Sequence, residues 1–525
     1  MLRSLVLVGL LVVSVNAQES QLGRVEFPTS GSPQAQAHFL RGLAALHSFW
    51  YEEAFEAFRE STKADPDFMM GYWGEAMTHN HPLWSEQDLT AARLVIAKFK
   101  DTPKLTERER AFLNAVKQLY GDGDKRARDA AYSAAMEKIY RAYPDDLDAA
   151  SFYSLSLLGL VRGDDKSYRL QARAGAIALD VYTRNPNHPG AAHYIIHSFD
   201  DPEHAILALP AARRYASIAP EAHHARHMPS HIFLQLGMWP EAAASNEAAW
   251  ESSDAWMKRK KLSLNVRDYH SLHWLLYVYL QQGRYKKAEE LLTLMKKVMS
   301  ESTYDNKLRP GYYENNWANM SAAFIVETER WNLASELFPE NKPNTEQTGM
   351  NGGHGGGSHD ATVRMSAASK NMPIFIRGLA SAVNGSAGEV NSIGSVNKLE
   401  VEALAASMKK DHATAIDLMK KATALEEQSG APYGPPTLVK PSHELFGEIL
   451  LRAGQPKEAA EKFQAALLRQ PNRARSLLGL ARASAQSGDR AAAVAAYTKL
   501  LDQWKEADAD LVELSEARAY VTPRQ

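Results

Sequence analysis

A set of small and aromatic residues recurs at an interval of 34 residues in this chain. The recurrence is clearest near the C-terminus, where the following residues are related by that interval: Gly454 and Gly488, Ala459 and Ala493, Phe463 and Tyr497. Apolar residues with helical spacing run from about Gln34 to the C-terminus, broken by short stretches of Gly, Pro, Asn or Asp, and strand signals are nearly absent. A short helical unit cannot bury its own apolar face, so neighbouring units must stack. The sequence therefore predicts an all-α array of stacked helical repeats.

The repeating pattern resembles the tetratricopeptide repeat, a pair of antiparallel helices called A and B. The following residues fall at positions 8, 11, 15, 20, 24, 27 and 32 of that repeat: Gly447, Leu450, Gly454, Ala459, Phe463, Ala466 and Pro471. The same frame fits around Gly42, Ala54, Phe58 and Pro66, around Ala208, Pro220 and Ala242, and around Gly283 and Ala288. The resemblance implies a right-handed superhelical solenoid in which small residues let helices approach and the aromatic residue fills the groove between repeats.

Composition excludes several kinds of chemistry. The 525 residues contain no Cys, which excludes disulfides, thiolate metal sites and cysteine nucleophiles. Sixty basic residues against 62 acidic ones leave a formal net charge of −2, which gives no support to a nucleic-acid partner. No phosphate-binding glycine loop and no HExxH zinc-protease motif is present in the sequence.

The N-terminus has the pattern of a secretory signal peptide. Arg3 precedes the apolar run LVLVGLLVV, and Val15 and Ala17 place small residues before a cut at Gln18. The run is shorter than the ~20 residues of a transmembrane helix. We therefore predict a signal peptide over residues 1–17, a mature protein that is periplasmic or extracellular, and no membrane insertion after cleavage.

A glycine-rich stretch divides the rest of the chain. Residues 341–361 read NKPNTEQTGMNGGHGGGSHDA, lack apolar periodicity and predict a flexible loop. The prediction is thus an N-terminal and central helical array over residues 18–340, this loop, and a C-terminal array over residues 362–525.

Histidines concentrate in the central repeats. In the tetratricopeptide frame, the helix A positions that face the concave groove include 2, 5 and 9, and six histidines occupy them: His193, His197, His227, His231, His270 and His273. Residues four apart lie on one helix face, and neighbouring helices pack 8–10 Å apart. We therefore expect these side chains to converge, and imidazole is a ligand for Zn, Cu and Fe. Asp200, Asp201 and Asp268 are candidates to add a ligand or to orient a ring.

A second group of candidate ligands lies near the N-terminus and comprises His47, Glu75, His79 and His81. The segment around it also carries Tyr72, Trp73 and Trp84, which indicate either packing between repeats or a small-molecule groove. The sequence leaves open whether this group meets the central histidines.

Three functions remain compatible with these features. The leading hypothesis is an exported repeat protein whose histidine-rich groove binds a transition metal, with or without catalysis. The alternative is a tetratricopeptide scaffold that binds peptides or protein partners without metal, and the third is a small-molecule binding protein. The block from Pro189 to Trp239 resembles segments of exported bacterial tetratricopeptide proteins with a histidine-rich central block, and this resemblance implies no particular activity.

Overall fold

The computed structural model describes residues 21–162, 165–301, 312–339, 359–388, 390, 393–436 and 438–522, with the backbone alone for 359–370. The predicted signal peptide lies outside these residues, as does most of the predicted glycine-rich loop. Helix α18 begins at His359, within the last three residues of that predicted loop. In the described part of the chain, no helix has both the length and the apolar character needed to cross a bilayer.

The described residues form a succession of α-helices, which confirms the predicted all-α repeat solenoid. The helices of the N-terminal half are α1 Pro33–His47, α2 Tyr51–Ala64, α3 Met69–Met77, α4 Leu89–Ile96, α5 Glu107–Leu119, α6 Lys125–Ala142, α7 Leu147–Leu158, α8 Arg169–Arg184, α9 Pro189–Ser198, α10 Ala205–Ile218, α11 His223–His227, α12 Pro229–Gln235 and α13 Trp239–Lys260. Those of the C-terminal half are α14 Tyr269–Gln281, α15 Tyr285–Ser300, α16 Tyr312–Thr328, α17 Ala334–Leu337, α18 His359–Ala382, α19 Ser395–Met408, α20 His412–Glu426, α21 Ser442–Arg452, α22 Pro456–Arg469, α23 Ala474–Gln486, α24 Arg490–Gln503 and α25 Val512–Val521.

Short elements complete the described part. Three 3₁₀ turns span Pro82–Trp84, Leu264–Val266 and Trp331–Leu333. The two-residue strands β1 (Asn80–His81) and β2 (Glu86–Gln87) pair antiparallel, with Asn80 opposite Gln87 and His81 opposite Glu86.

Glycines and aromatic rings pack the repeats as the sequence pattern predicts. The ring of Phe463 on α22 is fully buried between Gly447 of α21 and Gly479 of α23. A Cβ atom at Gly479 would lie only 2.2 Å from this ring, so a larger residue there requires the helices to move apart. The aromatic residue thus fills the groove between two successive repeats.

The C-terminal repeats contact the central ones. The indole Nε1 of Trp239 at the start of α13 donates to the carbonyl of Asn472, 2.9 Å away. Next to it, the guanidinium of Arg473 donates to the hydroxyl of Tyr277 on α14 at 3.0 Å. These contacts hold α13 and α14 against the C-terminal part of the chain, and α14 carries two of the candidate ligands.

Candidate metal centre

Three helix A segments begin at the first position of the repeat frame. They start at Pro189 (α9), His223 (α11) and Tyr269 (α14). Proline occupies the first turn of α9 and of α12, where its missing N–H costs no hydrogen bond. The side chain of Asp268 caps α14 by accepting from the backbone N–H of Ser271. Because the three helices begin at equivalent positions of the repeat, their histidines face the same side of the array.

Five of the six predicted histidines lie together, joined by His224, in two groups of three. The first group, called trio A, is His193, His197 and His224, and the second, called trio B, is His227, His231 and His270. Within each trio, one nitrogen from every ring lies within 4.8 Å of the others. In trio B the Nε2 atoms of His227 and His231 are 3.1 Å apart.

In two rings of trio B, those of His227 and His231, a neighbouring oxygen atom determines which ring nitrogen carries the proton. Nδ1 of His231 lies 2.6 Å from Oδ2 of Asp200, and Nδ1 of His227 lies 2.7 Å from Oδ1 of Asn246. The amide nitrogen of Asn246 itself donates to the carbonyl of Ala242, so its oxygen is the atom that faces His227. Each Nδ1 is therefore a donor. In the neutral rings both Nε2 atoms carry bare lone pairs that point at each other.

Such a contact needs a cation or a proton between the two nitrogens. Two nitrogens bound at about 2.0–2.1 Å to one tetrahedral ion lie about 3.3 Å apart, close to the spacing observed here. Hydrogen bonds from Nδ1 to a carboxylate or an amide oxygen are the usual outer support of metal-bound histidines. The third ring, His270, brings another donor to the same point.

Trio A is built in a similar way, with support from the N-terminal repeat. Nδ1 of His193 donates to the carbonyl of His47 at 2.7 Å, which leaves its Nε2 bare. Nε2 of His197 lies 3.1 Å from that atom. Nε2 of His224 is buried and has no hydrogen-bond partner. A carbonyl some 146 residues away in the sequence thus orients the central ring of this trio.

Aromatic rings enclose both trios. Phe49, in the turn between α1 and α2, lies 4.3 Å from His193 and 5.7 Å from His224 between ring centroids. Trp274 on α14 lies 4.2 Å from His231 and 5.0 Å from His227. Phe49 has a φ of +53°, which is uncommon for a bulky residue and is held here by the surrounding packing. The apolar walls strengthen electrostatic interactions at the rings.

Burial keeps the rings neutral. It lowers the pKa of His193 to about 3, and it lowers the pKa of His197, His224 and His227 well below the ordinary value, with neighbouring histidines adding to the shift. Neutral imidazole is the form that binds a metal. Near pH 7 these four rings are therefore ready to act as ligands.

Asp200 links the site to the C-terminal half. Its Oδ1 accepts from Nε2 of Gln235 at 3.2 Å, and the same amide nitrogen lies 2.8 Å from the carbonyl of Pro432. The segment before α21 thus helps to hold the carboxylate that orients His231. Asp200 thus contacts a trio ring, whereas Asp201 pairs with His204 and Asp268 with His223.

If trio B binds a metal ion, replacing Asp200 with Asn should weaken that binding about 10- to 100-fold, because His231 loses its charged acceptor. The measurement is a competition titration against a chelating metal indicator. Asp201→Asn is the matched control, since Asp201 is equally buried but accepts from the backbone of Glu203 and His204. Equal affinities for both variants would show that Asp200 has no role in orienting a ligand.

The site differs from the sequence prediction in two residues. His273 lies on α14 but belongs to neither trio, and burial lowers its pKa to about 3. His224 takes the sixth place. His224 occupies position 2 of its repeat, and His270 occupies position 2 of the following repeat. The position in the repeat was therefore the sequence signal that could have identified His224.

The second predicted group does not form one cluster. His47 lies instead with Asp148 and His188, fully buried. Its Nε2 donates to Asp148 at 2.9 Å, and its Nδ1 accepts from the hydroxyl of Tyr194. Both ring nitrogens are therefore used by protein partners, and this trio has the features of a structural network that positions the carbonyl facing His193.

The remaining members of that group lie around strand β1. His81 stacks on Tyr51 with ring centroids 3.9 Å apart and pairs with Glu86 at 3.0 Å. Burial lowers the pKa of His79, with small opposing contributions from the nearby charges of Asp88 and Glu75. Through Trp84, whose ring is 6.1 Å from that of His224, this N-terminal segment reaches the central histidines.

The aromatic residues near this segment have different surroundings. Trp73 is fully buried in the core against Phe27, Phe112 and Phe152. The hydroxyl of Tyr72 donates to the carbonyl of Pro66. Of the two interpretations given for Trp73, packing between helices agrees with its position in the core.

Two segments of the chain match models of a known repeat family. Tetratricopeptide repeat family models match residues 35–68 and 445–508. The chain is similar to the crystal structures of the APC/C hetero-tetramer Cut9–Hcn1 (11% identity, 93% of this chain and 75% of that chain, TM-score 0.37) and of yeast Tom70 (12%, 93% and 88%, 0.28). It is also similar to the P58(IPK) TPR domain (13%, 93% and 98%, 0.22). None of the curated proteins compared with the sequence matches it.

A segment in the N-terminal part and a segment in the C-terminal part of the chain are therefore similar to tetratricopeptide repeats. Repeats of this kind serve as scaffolds for interactions with proteins and peptides. The resemblance of the histidine-rich block to exported bacterial proteins stays a prediction.

Proposed function

We propose that this protein is a tetratricopeptide-repeat scaffold that holds a transition-metal ion on trio B, and that it acts outside the cytoplasm. Export is supported by the apolar run after Arg3. The metal site is supported by the three imidazoles that converge from α11, α12 and α14.

The observation that carries the proposal is the 3.1 Å contact between Nε2 of His227 and Nε2 of His231. Both Nδ1 atoms donate outward, to Asn246 and Asp200, so both inner nitrogens are electron-pair donors. An ion between them removes the repulsion of the lone pairs. A proton there would instead create a charged imidazolium within an aromatic wall.

The ligand set narrows the choice of metal. Three imidazoles suit Zn, Cu or Fe, whereas Mg, Ca and Mn prefer carboxylate and carbonyl oxygens. Three protein ligands leave a position open, as in catalytic rather than structural zinc sites. At such a position a metal lowers the pKa of bound water or binds a small substrate, which makes the protein a candidate metalloenzyme.

Elemental analysis of protein purified without chelator or histidine tag tests the proposal. Wild type should contain Zn, Cu or Fe in at least equimolar amount, and the variant His227→Ala/His231→Ala/His270→Ala should contain less. His204→Ala is a matched control, because His204 pairs with Asp201 at a partly exposed position outside the trios. Far-UV circular dichroism confirms that each variant is folded.

The same experiment separates the metal hypothesis from the scaffold without metal. Wild-type protein that holds no metal, even after incubation with each ion, would contradict the proposal. The histidines would then serve as hydrogen-bond donors for a peptide bound in the groove.

A further inference from the structure

Resting on the proposed metal site, we infer that the groove holds two metal ions, the second on trio A. Trio A and trio B have no residue in common, and each brings three ring nitrogens within 4.8 Å of one another. One ion is sufficient for the proposed function. The second follows from features of trio A itself.

Trio A has its own prepared donors. Because Nδ1 of His193 donates to a carbonyl oxygen, which only accepts, the Nε2 of this ring is an electron-pair donor. Nε2 of His197 is 3.1 Å away, and this ring binds a metal through Nε2 once its proton resides on Nδ1. The buried Nε2 of His224 is an unpartnered polar atom, and a buried polar group without a partner is destabilising unless it has a ligand.

The two trios lie side by side. The ring centroids of His197 and His231 are 5.7 Å apart, and those of His224 and His227 are 6.0 Å apart. Rings from both trios therefore touch along two edges of the site. Two-metal sites in proteins have ions about 3.5–4 Å apart, and adjoining groups of three ligands are the arrangement that allows such a spacing.

The donor set indicates what the paired ions bind. Six neutral imidazoles supply no negative charge, and the carboxylate of Asp200 is engaged by Nδ1 of His231. Each ion would keep an open position, and the positive charge of the ions would favour a small anionic ligand such as hydroxide there. Copper and zinc are the ions that three imidazoles per site select best.

Aromatic residues flank the two trios on different sides. Phe49 contacts trio A, and Trp274 contacts trio B. The side chains of His197 and His270, one from each trio, are only partly buried. Ions and small ligands therefore have a route to both sites from the solvent-facing side of the groove.

Metal stoichiometry tests this inference. Metal-free protein is titrated with Zn²⁺, and separately with Cu²⁺, followed by removal of unbound ion and elemental analysis. We expect two ions per chain in wild type, one in His224→Ala, and one in His270→Ala. His197→Ala is a second trio A variant at a partly exposed position, used if His224→Ala fails to fold, and His273→Ala is the control expected to keep two ions.

The outcomes distinguish the two proposals. One ion in wild type that is retained in both trio A variants and lost in His270→Ala overturns the second site and leaves the proposed function intact. One ion that is lost in variants of either trio indicates a single shared site and also overturns the inference. No ion in any protein rejects the proposed function. For the copper-loaded protein, an electron paramagnetic resonance signal smaller than the copper content gives independent support, because neighbouring Cu²⁺ ions couple magnetically.

Discussion

Lowering the pH from 7 to 4 should strongly destabilise the metal-free protein. Burial lowers the pKa of His193 and of His273 to about 3, and lowers the pKa of His197, His224 and His227 well below the ordinary value of 6.5. In the unfolded chain these rings titrate near 6.5. Below that pH the unfolded state binds more protons than the folded state, so the free energy of unfolding falls as the pH decreases.

The size of this effect follows from the pKa differences. Each such ring lowers the free energy of unfolding by up to about 1.4 kcal/mol per pH unit between the unfolded and folded pKa values. A difference from 6.5 to about 3 amounts to roughly 5 kcal/mol for His193 alone, once the pH reaches the lower value. A whole domain is stable by only about 5–15 kcal/mol. His223 opposes the trend, because Asp268 raises its pKa despite burial.

Urea unfolding followed by circular dichroism at several pH values measures this dependence. We expect the unfolding midpoint to decrease continuously below about pH 6.5. His193→Gln retains a donor for the carbonyl of His47 but has no proton to gain, and its free energy of unfolding should depend less steeply on pH. A midpoint that stays constant between pH 7 and pH 4 would show that the histidines are not buried as described.

Replacing Arg473 with Met should lower the free energy of unfolding by about 3–5 kcal/mol. Its guanidinium is fully buried, 2.6 Å from Glu327 and 2.7 Å from Glu444, and those carboxylates are also buried. Without Arg473, two carboxylates remain in a site with little access to water. The positive charge of Arg473 is one reason why the pKa of Glu444 lies below its ordinary value despite burial.

Helix α23, which begins directly after Arg473, carries a matched control for this prediction. Arg482 pairs with Glu516 at 2.6 Å, but both side chains are about one-third exposed. Arg482→Met should therefore change the free energy of unfolding by at most about 1 kcal/mol. Denaturant unfolding of the three proteins gives the comparison. Similar losses in both variants would contradict the role assigned to the buried network between the central and C-terminal repeats.

The buried arginine also connects stability to the proposed metal site. It contacts Tyr277 on α14, the helix that carries His270. Loss of this contact should loosen α14 relative to α11 and α12. A reduced metal affinity in Arg473→Met, measured under conditions where the variant is folded, would show that the C-terminal repeats help to position the third ligand of trio B.

The sequence by itself determined the helical repeat and the direction in which most of the histidines point. Small and aromatic residues at fixed positions specify close packing of helices, and Phe463 lies between two glycines as that pattern predicts. The first residues of α9, α11 and α14 coincide with the first position of that frame. This success has a physical basis, because helical periodicity fixes the angle of a side chain around its own axis.

Only the tertiary structure decided which histidines meet. The repeat frame places His273 at the same position as His193 and His227, yet it belongs to neither trio. The 22-residue helix α13 separates α14 from the preceding repeat, so a 34-residue interval does not relate the two helices. Periodicity gives the angle around an axis but not the offset between neighbouring helices, which depends on the length of the element that connects them.

The support for the site lies still further from local sequence. The carbonyl of His47 orients His193, and Phe49 covers trio A, although both residues come from the first repeat. A contact between residues 146 positions apart depends on how far the superhelix turns between the two repeats that carry them. Each repeat adds a small rotation, and these rotations accumulate along the array. The sequence therefore determined that the groove carries histidines and on which face of each helix they lie. The summed rotation of the repeats decided which residues of other repeats those histidines contact.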